Sequence, residues 1–108
     1  MQAIVKVIIP AYNEQDSIAN VVNDIPKIVD EIIVISNNST DNTPINAKNA
    51  GATVLHENKK GYGYACLKGL NYIENQKIKP EIVVFLDGDY SDYPAQLTEL
   101  IAPIITKN

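Results

Sequence analysis

Two carboxylates flank a glycine at Asp87-Gly88-Asp89, directly after the apolar run Ile82 to Leu86. Negative charges held this close repel each other unless a cation or a ligand hydroxyl compensates them. Carboxylate oxygens of this kind suit a hard divalent ion, Mg²⁺ or Mn²⁺, with diphosphate oxygens completing its shell. The plain alternative is a turn that caps the helix after it. Asp92, with Pro94 close behind, is the better cap, which leaves Asp87 and Asp89 for a ligand.

Three other segments carry groups that could join them. Pro10-Ala11-Tyr12-Asn13-Glu14 offers a stiff turn, a ring for stacking and an acceptor. Taken alone it reads at least as well as a turn with an acid at a helix start. The run Ser36-Asn37-Asn38-Ser39-Thr40-Asp41-Asn42-Thr43 supplies donors and acceptors suited to a base or ribose. Those residue types also favour ordinary capped loops. Lys59-Lys60-Gly61-Tyr62-Gly63 could bring backbone N–H groups to a phosphate at a helix N-terminus. It is neither a P-loop nor a full dinucleotide fingerprint, and a flexible loop fits equally. His56 is the sole histidine, so no histidine metal cluster exists, and it reads as a strand end. Cys66 reads as a packed thiol on a buried helical face.

The elements that position these groups follow from the apolar pattern. Ile4 to Ile9 reads as a buried strand ended by Pro10. Ile18, Val21, Val22, Ile25, Ile28 and Val29 share one helical face, with Asp16 or Ser17 as cap and Pro26 ending or kinking the helix. Ile32 to Ile35 is a second strand. Pro44 suits the first turn of a short helix and Gly51 its C-terminal cap. Thr53 to Leu55 is a third strand, and Tyr62, Cys66, Leu70 and Ile73 mark a third helix. Ile82 to Leu86 is the fourth strand. Leu97, Leu100, Ile101, Ile104 and Ile105 mark a fourth helix, interrupted by Pro103. Four strand-helix pairs without strand alternation predict an α/β fold, a three-layer doubly wound, mostly parallel sheet. Parallel strands send all four loops to one edge, where ligands of such sheets bind.

At 108 residues the chain reads as a single domain, 1–108. Its net charge of −4, with nine scattered Lys/Arg residues, argues against a nucleic-acid surface. One cysteine allows no internal disulfide and fits a reducing compartment. The N-terminus carries no signal-peptide pattern. Apolar runs stay far below the ~20 residues of a membrane span. A cytoplasmic location is expected, at the inner membrane face if a longer form or a partner is anchored there.

Four pieces in this order resemble the inverting family 2 glycosyltransferases, whose nucleotide-binding fold is called GT-A. They are Ile8 to Glu14, then Glu31 to Ile35 with Asn38 to Thr43, then Gly61-Tyr62-Gly63, then Val83 to Asp89. The likeness covers nearly the whole chain and is similar in flavour to dolichyl- and undecaprenyl-phosphate sugar synthases. It implies a UDP- or GDP-linked sugar donor, a divalent metal, and transfer to a hydroxyl or lipid-phosphate acceptor. It implies that Pro10, Ala11, Tyr12 and Glu14 border the base and ribose, with Ser39 and Gly88 in the same nucleotide-binding set. Asn37 falls where the family usually has an aspartate on the uracil or guanine. Asp87 faces the ribose or metal, and Asp89 ligates the metal. Ser36-Asn37 replaces the usual acidic pair. An amide both donates and accepts, so base preference is open.

The resemblance puts the acceptor-binding half and the catalytic base beyond Asn108, so the domain is expected to be truncated relative to a full enzyme, with no base assigned. In the usual order three, two, one, four, Ile82 to Leu86 forms an apolar edge open to self-association or a partner chain. The non-enzymatic alternative is an inactive nucleotide-binding or interaction module derived from such an enzyme. A receiver-type signalling domain, from a third class, wants paired acids after the first strand and a late lysine; here Asn13-Glu14 stands in the first loop.

Overall fold

The computed structural model describes residues 3–88. The elements run β1 (Val5–Ala11), α1 (Ile18–Asp24), β2 (Glu31–Asn37), α2 (Thr43–Asn49), β3 (Thr53–Glu57), α3 (Tyr62–Glu74) and β4 (Ile82–Phe85). The strands form one sheet in the order β3-β2-β1-β4, every pair parallel. β1 is central, and Val7, Ile8 and Ile9 have no exposed surface. Each such side chain stabilises the fold by roughly 1.5–3 kcal/mol relative to exposure.

Strand alternation sorts the core into two layers. Val5, Val7, Ile9, Val34, Val84 and Leu86 pack with Ile18, Val21 and Val22 of α1 and Ala47 of α2. Ile8, Ile33, Ile35 and Val83 pack with Ala65 and Ile73 of α3 on the other face. Helices thus cover both faces, which is the three-layer, doubly wound arrangement expected. The fourth expected helix, Leu97 to Ile105, lies outside the described residues.

Three local expectations need correction. β1 does not stop at Ile9 but runs through Pro10, which pairs with Ile35. The β1–β4 ladder ends at Ile8 opposite Phe85. Pro10 therefore sits where β1 has one hydrogen-bonded neighbour rather than two, and its missing N–H is tolerated there. α1 ends at Asp24. Ile25, before Pro26, is extended at φ −70°, ψ 130°, as the proline ring demands of its predecessor. Ile28 is left exposed outside the helix rather than on its apolar face.

The third correction concerns α3. Its buried positions are Ala65, Gly69 and Ile73, and Tyr62 is exposed. A Cβ at Gly69 would stand 2.8 Å from Ile8 Cγ2. The helix lies so close on β1 that small residues occupy its seam, turning Cys66 and Leu70 to half-buried flanks. In α2, Pro44 is in the first turn and Gly51 follows the helix at φ 107°, where glycine carries no Cβ penalty.

Candidate functional site

The loops after β1 and β2 are stitched together by side chains reaching backbone. Asn13 N–H donates to Ser39 Oγ at 3.0 Å, and the Ser39 hydroxyl reaches Ala11 O at 3.5 Å. Thr40 N–H donates to Asn13 Oδ1 at 2.8 Å. Glu14 N–H donates to Oγ1 of the fully buried Thr43 at 2.7 Å, and the Thr43 hydroxyl donates to Asp41. Asp41 also accepts from Thr43 N–H and Gln15 N–H. Desolvation alone would raise the Asp41 carboxyl, but the hydrogen bonds from Thr43 and Gln15 hold it below the usual carboxylate range. The polar run after β2 is therefore largely a brace. Ser39, expected among the nucleotide contacts, uses its hydroxyl within that brace.

Behind the brace lies a cleft of about 300 Å³ lined by Tyr12, Asn37, Asn38 and Lys60. Tyr12 is 60% exposed there, with its ring open to stacking. Pro10 and Ala11, which precede it in β1, are buried. Asn37 Nδ2 donates to Lys59 O at 2.8 Å, and Oδ1 accepts from Gly61 N–H at 3.2 Å. Asn38, at φ 63°, donates through Nδ2 to Asn58 O at 3.0 Å. Lys60 and Asn38 were not singled out from the sequence. Lys60 stood in a segment read for its glycines, and only the β2–β3 register carries it to the cleft.

The Asp87-Gly88 segment meets the same edge from the far side of β1. A Cβ at Gly88 would stand 3.2 Å from Ala11 Cβ, 3.4 Å from Ile18 Cδ1 and 3.5 Å from Glu14 Cγ. The missing side chain lets this turn seat against the β1–α1 loop. Ser17, expected as a helix cap, makes no side-chain cap bond. Its hydroxyl instead donates to Gly88 O at 2.7 Å, pinning the acidic turn to the start of α1. Asp87 is exposed at the carboxyl end of β4. Asp89 lies outside the described residues.

Among the described residues no cluster of three His, Cys, Asp or Glu side chains gathers to enclose a metal. Asp87 presents an exposed carboxylate at the carboxyl end of β4, a hard oxygen donor whose chemistry suits a Mg²⁺-like ion that shares its shell with a ligand.

Cys66 stands within reach of the same charge. Burial pushes its thiol up, a hydrogen bond with Tyr62 opposes this, and the Asp87 carboxylate adds to the rise. The side chain itself is half-buried on the flank of α3 rather than on its buried face. His56 lies exposed in β3, away from the cleft lining.

The sequence model described as Glycosyl transferase family 2 matches residues 6–108. The chain belongs to this family. Protein RfbJ of Shigella flexneri is 36% identical over 103 residues, covering 94% of this chain and 76% of that protein. The UDP-N-acetylglucosamine--dolichyl-phosphate N-acetylglucosaminyltransferase of Methanococcus voltae is 31% identical over 121 residues, covering 94% of this chain and 47% of that protein. Among solved structures, the Mycobacterium tuberculosis glucosyl-3-phosphoglycerate synthase in complex with Mn²⁺, UDP-glucose and phosphoglyceric acid matches with a TM-score of 0.68 and 32% identity. That match covers 80% of this chain and 33% of the synthase. This glycosyl transferase family 2 chain thus spans three quarters of one relative and a third to a half of the others. No helix among its described residues is long and apolar enough to cross a membrane.

Proposed function

We propose that this chain is the donor-binding half of a metal-dependent glycosyltransferase that takes a UDP- or GDP-linked sugar. The observation that carries this reading is the convergence of two features on one edge. They are the cleft of Tyr12, Asn37, Asn38 and Lys60, and the Asp87-Gly88 turn packed on Ala11 and Glu14. The base stacks on Tyr12 over Pro10 and Ala11. The ribose and diphosphate extend across Ala11 and Glu14 toward Asp87. Asp87 and Asp89 hold Mg²⁺ or Mn²⁺, which supplies charge neutralisation for the departing diphosphate. Ser17 keeps the acidic turn at its height through Gly88 O. The acceptor is a hydroxyl, which needs a base to take its proton, or a lipid phosphate, which is already ionised and needs none; that base is assigned to no residue of this chain. The similarity to a dolichyl-phosphate N-acetylglucosaminyltransferase supports the lipid-phosphate class.

Calorimetric titration with UDP- and GDP-sugars, with and without Mn²⁺, tests the reading. Binding is expected to depend on the metal, and Asp89→Ala is expected to weaken it at least tenfold, since a charge-assisted contact is worth roughly 1.5–3 kcal/mol. Metal-independent binding with Asp89→Ala equal to the parent would sink it. Metal-dependent binding that persists without sugar transfer when the remaining half is supplied would favour an inactive nucleotide-binding module.

A further inference from the structure

The β2–β3 ladder ends in register at Asn37 opposite Glu57. One step beyond, the Asn37 carboxamide takes the place of a peptide group. Its Nδ2 donates to Lys59 O at 2.8 Å and approaches Glu57 O at 3.5 Å, while its Oδ1 accepts from Gly61 N–H at 3.2 Å. Asn38 Nδ2 holds Asn58 O at 3.0 Å, and Glu57 Oε2 accepts from Lys59 N–H at 2.9 Å. The main chain on both sides of Lys60 is therefore held, and Lys60 lines the cleft together with Tyr12. Gly61 completes the turn at φ 132°, a value side-chain-bearing residues rarely adopt.

We infer that Asn37 is a positioning residue that holds Lys60 on the nucleotide cleft, not a reader of the base. This rests on the nucleotide reading of the cleft. Nδ2 donates to Lys59 O at 2.8 Å and stands 3.5 Å from Glu57 O, and Oδ1 accepts from Gly61 N–H, so both ends of the amide are engaged by the 57–61 segment. An aspartate here would accept from Gly61 N–H but would turn lone pairs toward Lys59 O and Glu57 O, so the clasp would open. The amide is needed because one side chain must donate and accept at once.

The test uses the full chain, titrated calorimetrically with UDP and GDP in Mg²⁺, and amide hydrogen exchange at Gly61 without nucleotide. Asn37→Asp is expected to weaken both nucleotides roughly tenfold, the cost of breaking a satisfied polar pair, and to leave the UDP-to-GDP affinity ratio unchanged. Gly61 N–H is expected to exchange faster. Asn37→Ala, which opens the clasp without adding charge, should give the same pattern if the aspartate variant folds poorly. In a double-mutant cycle, Asn37→Asp adds little to the loss caused by Lys60→Ala, because one acts through the other. A general loss of stability would instead give additive losses and overturn the inference. A changed UDP-to-GDP ratio, or unchanged Gly61 exchange, would overturn it as well. Failure of the parent to bind either nucleotide is a separate result, seen before any substitution; it defeats the nucleotide reading and the inference with it.

Discussion

Glu31 divides one carboxylate among four donors at the end of the sheet away from the cleft. Oε1 accepts from Lys6 Nζ at 2.8 Å and Gln76 Nε2 at 3.3 Å. Oε2 accepts from the Tyr72 hydroxyl at 2.6 Å and Thr53 Oγ1 at 2.8 Å. Burial pushes this carboxyl up, but the bonds from Lys6, Tyr72, Thr53 and Gln76 together outweigh it and bring it to about 2, from an ordinary 4.5. A depressed folded value means that Glu31 contributes stability above about pH 4.5 and loses it as pH falls toward about 2. Discounted for its partial exposure, the contribution is on the order of 1–2 kcal/mol. Urea melts of parent and Glu31→Gln are expected to differ by that amount near neutrality and to converge as the solution is acidified. A constant gap down to the acid limit would contradict this. Nothing in the sequence shows this role of Glu31, because its four partners come from β1, β3 and α3 and just beyond, and meet only through register. The same holds for Asn37: its place after a strand was legible, but its partners were not. The places of Tyr12 and Asp87 just past the carboxyl ends of strands were legible, because each follows an apolar run directly.

At the scale of elements, α3 approaches β1 closely enough that Gly69 is required. A Cβ there would lie 2.8 and 2.9 Å from Ile8 Cγ2 and Cδ1, and Ile8 is fully buried between helix and sheet. Gly69→Ala gains helix propensity of about 1 kcal/mol but overpacks the seam at a cost of about 1–3 kcal/mol. The net expectation is a loss of up to about 2 kcal/mol, read as a lowered thermal midpoint. Gly69→Ala combined with Ile8→Val, which shortens the opposing side chain, should recover part of it. An alanine variant as stable as the parent would mean that α3 stands further off the sheet. The element order, the parallel sheet and both helix-covered faces were legible, since the strands are apolar throughout and the breaks fall at Pro26, Pro44 and Gly51. The rotation of α3 was not. Apolar periodicity assigns the seam to Tyr62, Cys66 and Leu70, whereas close packing assigns it to Ala65 and Gly69. The strand through Pro10 was hidden for a related reason: whether a missing N–H matters depends on how far β4 extends beside it.

For the whole molecule, the consequential feature is the end of the sheet at β4. Among the described residues β4 pairs with β1 alone. Its Val83 and Val84 are buried, while Phe85 is 37% exposed on the face that α3 covers elsewhere. An apolar edge strand with unpaired backbone groups is a template for another strand. Pairing two copies edge to edge about a two-fold axis would extend the sheet across both and shelter Phe85. We expect the isolated chain to associate with rising concentration, and Phe85→Lys, a charge at the edge, to shift it toward monomer. The variant should keep its folding stability within about 1 kcal/mol of the parent, because a partly exposed position leaves no cavity. Sedimentation velocity over a wide concentration range decides the matter. A parent that stays monomeric throughout would count against pairing at this edge. A parent that associates equally with and without Phe85→Lys would move the contact to another surface. Association that weakens when UDP and Mg²⁺ are added would tie the edge to the acidic turn immediately after it, since Leu86 N–H is still held by Ile8 O at 3.1 Å and carries Asp87 with it.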